Sequence, residues 1–378
     1  MRSFVIQPWI SYRGAETVSV LQTYYQVKAG IETKIICLFT DKDRMPPLGN
    51  KVEYVLPAVW LQKLFSRSKI FFLLFCVPVL FWLVLRNVED GDTLYPHNLP
   101  SPWIAALIKK FKNVKVYWIC HGVPPQAGFE NSAFNNFAWN FGVSFIDRKL
   151  IRSFNGIIAV SKKVAKDVQV AYKKEAKVVY PPVEWKLYVG GKKDDIRKHH
   201  SISKDDFLIL HVSNLHKAKE PEFSLKVLKA FLKSVKNAKL MFVGVGDDTH
   251  SFLEKVRRMN LTDKVIFEKF VHPEKLKDYY AASDCVIVPY WKSEGCPIPP
   301  MQALCSDKMS IVAEGSGIDE IIKDQNIGFV AKRNVGDFTK KLIYLYKNAG
   351  NFKSMSKKGL TFIKKDLSGE KFVININN

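Results

Sequence analysis

The stretch Ser293–Asp319, SEGCPIPPMQALCSDKMSIVAEGSGID, follows the apolar run Cys285–Pro289, which reads as a short buried strand. It opens a helix that can take Pro299 in its first turn. Glu294 therefore stands at the carboxyl end of a strand. In an open parallel sheet that edge binds ligands, because unpaired N–H groups and the helix dipole favour phosphate there. Gln302, eight positions after Glu294, falls in the first turns of the helix. A carboxylate for sugar hydroxyls, helix N–H groups for a diphosphate and an amide for a ribose outline a nucleotide-sugar site. A loop before an ordinary packed helix is the competing reading.

Outward from that stretch, strands and helices alternate twice over. In the first half, strands are expected at the amino terminus, Thr33–Leu38, Val52–Leu56, Thr93–His97, Lys115–Cys120 and Gly156–Val160, with the segment Tyr12–Glu16 turning into a helix that runs to about Lys28. His97 and His121 then follow the carboxyl ends of two strands, and Ser161 is placed to cap a helix. In the second half, strands are expected at Phe207–His211, Lys239–Val243 and Lys264–Phe267. The polar, glycine-bearing segment 185–205 between the halves reads as a hinge region. The pattern predicts an α/β chain of two Rossmann-like, doubly wound parallel-sheet domains, residues 1–184 and 206–355. Asp41-Lys42-Asp43 and Asp90-Gly91-Asp92 have the spacing of metal-binding aspartates, but both fall in turns, where aspartate serves local hydrogen bonds.

These motifs resemble the retaining glycosyltransferases of family 4, which have the GT-B fold of two Rossmann-like domains facing a cleft. Glu294, Gly295 and Pro299 match the family's acid and turn, and Gln302-Ala303 stands where the family usually has Glu-Ala. Gly315-Ser316-Gly317 followed by Asp319-Glu320-Ile321-Ile322 resembles its next turn and helix. Near the amino terminus, Arg13-Gly14-Ala15-Glu16 stands for the family's Gly-Gly-Ala-Glu. After Phe207–His211 the family commonly has Gly-Arg-Leu and then Lys-Gly to grip the diphosphate. Here Lys219 matches, Asn214 replaces the arginine and Glu220 the glycine. Tyr180-Pro181-Pro182 is similar to a mannosyl-transferring branch.

The resemblance implies a metal-independent, retaining hexosyltransferase with no cofactor besides its nucleotide-sugar donor, GDP-mannose or a UDP-sugar. It implies Glu294, His121 and Lys219 as the catalytic set. Gly14, Asn214, Val271, Ile298 and Gln302 are the implied donor contacts, Val271 lying in the loop that reads the base. It further implies that a carboxyl-terminal helix, residues 356–378, returns to the first domain. Asn214, Gln302 and Pro297 depart from the pattern, and two alternatives stay open. One is another GT-B activity, such as a nucleotide-sugar epimerase or a DNA-modifying sugar transferase; the other is a non-catalytic, membrane-associated scaffold.

The 378 residues carry a formal charge of +22, spread along the chain. No stripe with groove-reading elements accompanies it, so no nucleic-acid partner is expected. An anionic membrane surface accounts for it better, since juxtaposed Lys and Arg gain about 1 kcal/mol each there. Ile70–Leu85 is apolar on every side, flanked by Lys63, Arg67, Lys69 and Arg86, and interrupted by Pro78. It reads as a helix buried against a sheet or as an interfacial anchor, and is short for a membrane span, which needs about 20 residues. Six cysteines without metal spacing read as reduced core residues. The amino terminus reads as a strand rather than a secretory signal. The expected setting is cytoplasmic, peripheral on the inner face of the plasma membrane, with a glycan or polyprenyl-linked acceptor.

Overall fold

The computed structural model describes residues 2–123, 144–291 and 295–378. The chain forms two compact units, Met1–Pro182 with Gly369–Asn378, and Val183–Ser368. The first holds strands β1 (Arg2–Ile6), β2 (Glu32–Ile36), β3 (Tyr54–Val55), β4 (Thr93–Pro96), β5 (Lys115–Cys120), β6 (Gly156–Ala159) and β7 (Lys177–Val178). They form one sheet in the order β3-β2-β1-β4-β5-β6-β7, every neighbouring pair parallel. The second unit holds β8 (Phe207–Val212), β9 (Ala238–Val243), β10 (Val265–Glu268), β11 (Cys285–Val288), β12 (Met309–Ala313) and β13 (Phe329–Ala331). Their order is β10-β9-β8-β11-β12-β13, again parallel throughout.

Both sheets are doubly wound, as expected. Central strands of such a sheet are covered on both faces, so they carry unbroken apolar runs rather than alternating ones. Phe207-Leu208-Ile209-Leu210 and Cys285-Val286-Ile287-Val288 are buried throughout. The strand order reverses between β1 and β4 in the first unit and between β8 and β11 in the second. Loops leaving those strands diverge to opposite sides and open a crevice at the carboxyl edge of each sheet.

Residues 185–205, read from sequence as a hinge region, pack within the second unit. Arg197 of helix Lys193–His199 donates to the carbonyls of Ala282 at 2.7 Å and Ser203 at 2.9 Å. The return to the first unit begins at Gly369, later than the expected residue 356, because helix Lys353–Asp366 stays in the second unit with Gly359 against Leu304. Helix Gly369–Asn377 completes the first unit. Lys28 Nζ lies 2.8 Å from Glu370, and Tyr95 Oη donates to Asn377 Oδ1 at 2.8 Å. A Cβ on Gly369 would fall 1.9 Å from the Tyr25 ring, so only glycine lets the chain approach there.

The apolar stretch near residue 70 is helix Lys69–Asn87, preceded by helix Val59–Arg67. Its burial is one-sided. Cys76, Leu80, Leu83 and Val84 face the core, whereas Ile70, Leu74, Pro78 and Trp82, each four residues apart, form a stripe open to water. Ile70 is 72% and Leu74 65% exposed, so the helix is buried on one face only rather than all round. Trp60 and Leu64 on the preceding helix are also exposed, with Lys63 and Arg67 beside them. Arg86 lies 5.3 Å from the Trp82 ring. Among the described residues no helix is long and apolar enough to cross a membrane.

Candidate functional site

In the second unit the reversal point is built from the loops after β8 and β11. Lys219, on the first, lies with Nζ 4.7 Å from the centroid of the Tyr290 ring, two residues beyond β11. Beneath that ring His211, in β8, lies near-parallel at 5.8 Å. The imidazole is fully buried, with Nδ1 2.8 Å from Ser224 Oγ and Nε2 2.9 Å from Ser213 Oγ. Desolvation first, and Lys219 second, push its pKa down to about 3, so it is a neutral spacer under the tyrosine. The stack holds one ammonium at the crevice where anionic ligands bind in such sheets.

The loop carrying Asn214 and Lys219 is fastened to the loop after β9. Leu215 N–H donates to Val245 O at 3.1 Å and Lys217 N–H to Asp248 at 2.7 Å. Gly244 and Gly246, read from sequence as turn formers, allow this contact. A Cβ on either would fall 1.9 Å from Ser213 O or 2.0 Å from Leu215 O. Glu220, which caps helix Pro221–Phe231, has φ +52°, a left-handed conformation. That explains why glycine suits the position in similar sequences.

In the first unit the reversal lies between β1 and β4. Gly14 opens helix Gly14–Lys28, and a Cβ there would meet nothing within 4 Å, so the packing of the described residues does not demand glycine. Glu16, in the same first turn, is buried, and desolvation raises its carboxyl to about 7. His97 follows β4 and His121 follows β5. The rings stack at 5.1 Å, His97 Nδ1 lies 2.9 Å from His121 Nε2, and His97 Nε2 lies 3.1 Å from Gln22 Oε1. Burial lowers the His121 pKa to about 4, and burial with the neighbouring ring lowers that of His97 well below the usual value. Both are neutral imidazoles at neutral pH.

Residues 192–361 match the family model described as Glycosyl transferases group 1, and residues 12–185 match that of Glycosyltransferase Family 4. The chain belongs to the group 1, family 4 glycosyltransferases. One relative, the N-acetyl-alpha-D-glucosaminyl L-malate synthase of Bacillus anthracis, is 24% identical over 295 residues, which cover 75% of this chain and 73% of the relative. Sucrose-phosphate synthase from Thermosynechococcus elongatus has the same fold with TM-score 0.78 at 13% identity, covering 100% of this chain and 98% of that one. Anabaena Alr3699/HepE, solved in complex with UDP and glucose, gives TM-score 0.77 at 14% identity with the same coverage. The two sheet domains are those of the GT-B fold.

Against the family's site, several expected residues stand differently. Glu294 lies outside the described residues. Gln302 is on helix Pro299–Cys305 as expected, but its amide points into the core. Tyr280 Oη donates to Gln302 Oε1 at 2.6 Å, and Gln302 Nε2 donates to Tyr188 Oη at 2.8 Å. The amide expected to meet a ribose is thus held between two buried tyrosines. Ile298 precedes that helix, but Pro297, Pro299 and Pro300 supply no N–H, so the expected cradle of helix donors is thinned at its start. The sequence alone carried that signal. Val271 is buried beside His272, the residue preceding helix Pro273–Ala282 at the carboxyl edge after β10.

Asp92 pairs with Arg2 at 3.0 Å and Asp90 accepts from Asn113 N–H at 2.7 Å. His199, His200 and Glu268 bring one potential ligand atom each within 4.8 Å of one another, His199 being exposed. All six cysteines are free, five of them buried.

Proposed function

We propose that this glycosyltransferase moves a sugar, with retention at the anomeric carbon, from GDP-mannose or a UDP-sugar to a glycan or polyprenyl-linked acceptor. The reading is carried by Lys219 resting on Tyr290 at the reversal point of the second sheet. A cation fixed there meets the negative charge that grows on a departing nucleoside diphosphate, and it is in place before the reaction begins. HepE, which shares the fold, was solved with UDP-glucose, and this supports a nucleotide-sugar donor. In this reading Glu294 orients the sugar hydroxyls, His121 contacts the sugar, and Asn214 adds a neutral hydrogen bond beside Lys219. The leaving diphosphate helps take the acceptor proton on the same face, and no metal takes part.

A thermal-shift screen with UDP, GDP, ADP and their sugar conjugates, without metal, tests the donor. Ligand at a hundred times its dissociation constant should stabilise the fold by about 2.7 kcal/mol. Silence toward every nucleotide from folded protein would favour the non-catalytic scaffold, a reading the three prolines and the inward-facing Gln302 support.

The acceptor, on this reading, is met at the cytoplasmic face of an anionic membrane. The open stripe Ile70–Leu74–Trp82 with Trp60, flanked by Lys63, Arg67 and Arg86, supports it, since apolar insertion and basic attraction add. Sedimentation with vesicles should show binding to anionic but not neutral lipid, weakened by salt, and lost in the Trp60→Ser/Leu74→Ser double variant. Equal partition into both lipids, or none into either, would remove the membrane from the proposal.

A further inference from the structure

The row Gln22–His97–His121 spans the reversal point of the first sheet, and its proton order follows from hydrogen-bond chemistry. An amide oxygen has only lone pairs to offer, so the ring nitrogen 3.1 Å from Gln22 Oε1, His97 Nε2, carries a hydrogen. A neutral imidazole has one N–H, which leaves His97 Nδ1 bare. That bare nitrogen lies 2.9 Å from His121 Nε2, which must then be the donor. His121 in turn is left with an unprotonated Nδ1.

The middle of the row is held firmly. His97 is 2% exposed, its N–H donates to Ile6 O at 3.1 Å, and its carbonyl accepts from Trp118 Nε1 at 3.0 Å. The next residue is tied across the same reversal, Asn98 N–H donating to Gln7 Oε1 at 3.2 Å. We propose that His97 and Gln22 are positioning residues that hold His121 in the single neutral tautomer with hydrogen on Nε2, so that Nδ1 accepts a hydroxyl of the transferred sugar. The second half of that statement rests on the proposed function; the first half does not. The burial that keeps both rings neutral agrees with it. His121 then acts as a fixed acceptor rather than as an acid toward the leaving group.

The test separates the two halves. Two-bond proton–nitrogen correlation spectra of the full chain, labelled at histidine and without ligand, report which ring nitrogen of each histidine carries hydrogen. The His121 signals are assigned by their loss in His121→Asn. The expected result at neutral pH is His121 with protonated Nε2 and bare Nδ1. Gln22 Nε2 has no partner among the described residues, and the reverse amide orientation would invert every proton in the row. A His121 protonated on Nδ1, or averaging between tautomers, therefore overturns the proposal.

Gln22→Leu removes the acceptor and should release His121 into a tautomer mixture, with kcat falling on the order of tenfold, the worth of one well-made hydrogen bond. Gln22→Glu keeps an acceptor oxygen and should restore both. A single tautomer in Gln22→Leu would show that Gln22 does not set the row. The wild-type spectrum decides the first half even if that variant fails to fold. The expected tautomer in a protein that transfers no sugar would sink the proposed function and leave the row standing.

Discussion

Lys219→Met should lower kcat/KM by about 10²–10³-fold, the usual cost of deleting one preorganised group that stabilises transition-state charge. The side chain removed is of similar length, so the loss reports charge rather than packing. Lys219 is the cation placed on the ring that follows β11, and Asn214, where similar sequences have arginine, cannot supply a second one. Charge on the diphosphate grows as the glycosidic bond breaks, so kcat should fall more than the donor KM rises. Tyr290→Leu removes the ring beneath the ammonium and should have the smaller effect, about 0.5–2 kcal/mol. Steady-state kinetics on the cognate donor would decide. Activity of Lys219→Met indistinguishable from wild type would take the lysine out of the mechanism.

The second large effect is on stability. The folded-state pKa of His211 is depressed to about 3, below the ordinary value of 6.5. Between those values the unfolded chain binds the proton and the folded chain does not. Stability is therefore fully present above pH 6.5 and is lost as pH falls toward 3. From pH 7.5 to 4.5 this one group should cost about 2–3 kcal/mol, at 1.36 kcal/mol per unit. His97 and His121 act with the same sign in the first unit. Glu16, raised to about 7 from 4.5, acts oppositely, its contribution present below pH 4.5 and lost as pH rises through 7. Denaturant unfolding of wild type and His211→Gln at pH 7.5 and 4.5 measures the difference. An acid loss of the same size in the variant would show that the imidazole is not the titrating group.

Much of this was legible before any coordinates. The apolar runs that became β8 and β11 could only be covered on both faces, and the helix from Gly14 to Lys28 fell where its periodicity put it. Lys219 was singled out by the resemblance of the junction after Phe207–His211 to the family's, not by its spacing alone. Other features depend on residues distant in sequence. Nothing near Gln302 announces that Tyr188 and Tyr280 will take its amide, and the pairing of His97 with Gln22 joins a strand end to a helix that precedes it by three strands. In the stretch from Ile70 to Leu85 every side chain is apolar, so periodicity could not tell the core face from the open one. Only packing revealed the stripe. The thinning of the donor helix start could have been read, since three prolines in four residues remove their N–H groups in any fold.

The last helix gives the molecule an order of assembly. Helix Gly369–Asn377 belongs to the unit built from the first half of the chain, whereas Val183–Ser368 is continuous. A chain leaving the ribosome therefore has all of the second unit in hand while the first still lacks the pieces that meet Lys28, Tyr25 and Tyr95. The amino-terminal unit, which usually finishes first, cannot be complete before the second has been made. Until residue 377 has emerged, the side of the first unit that receives this helix is open to chaperones and proteases.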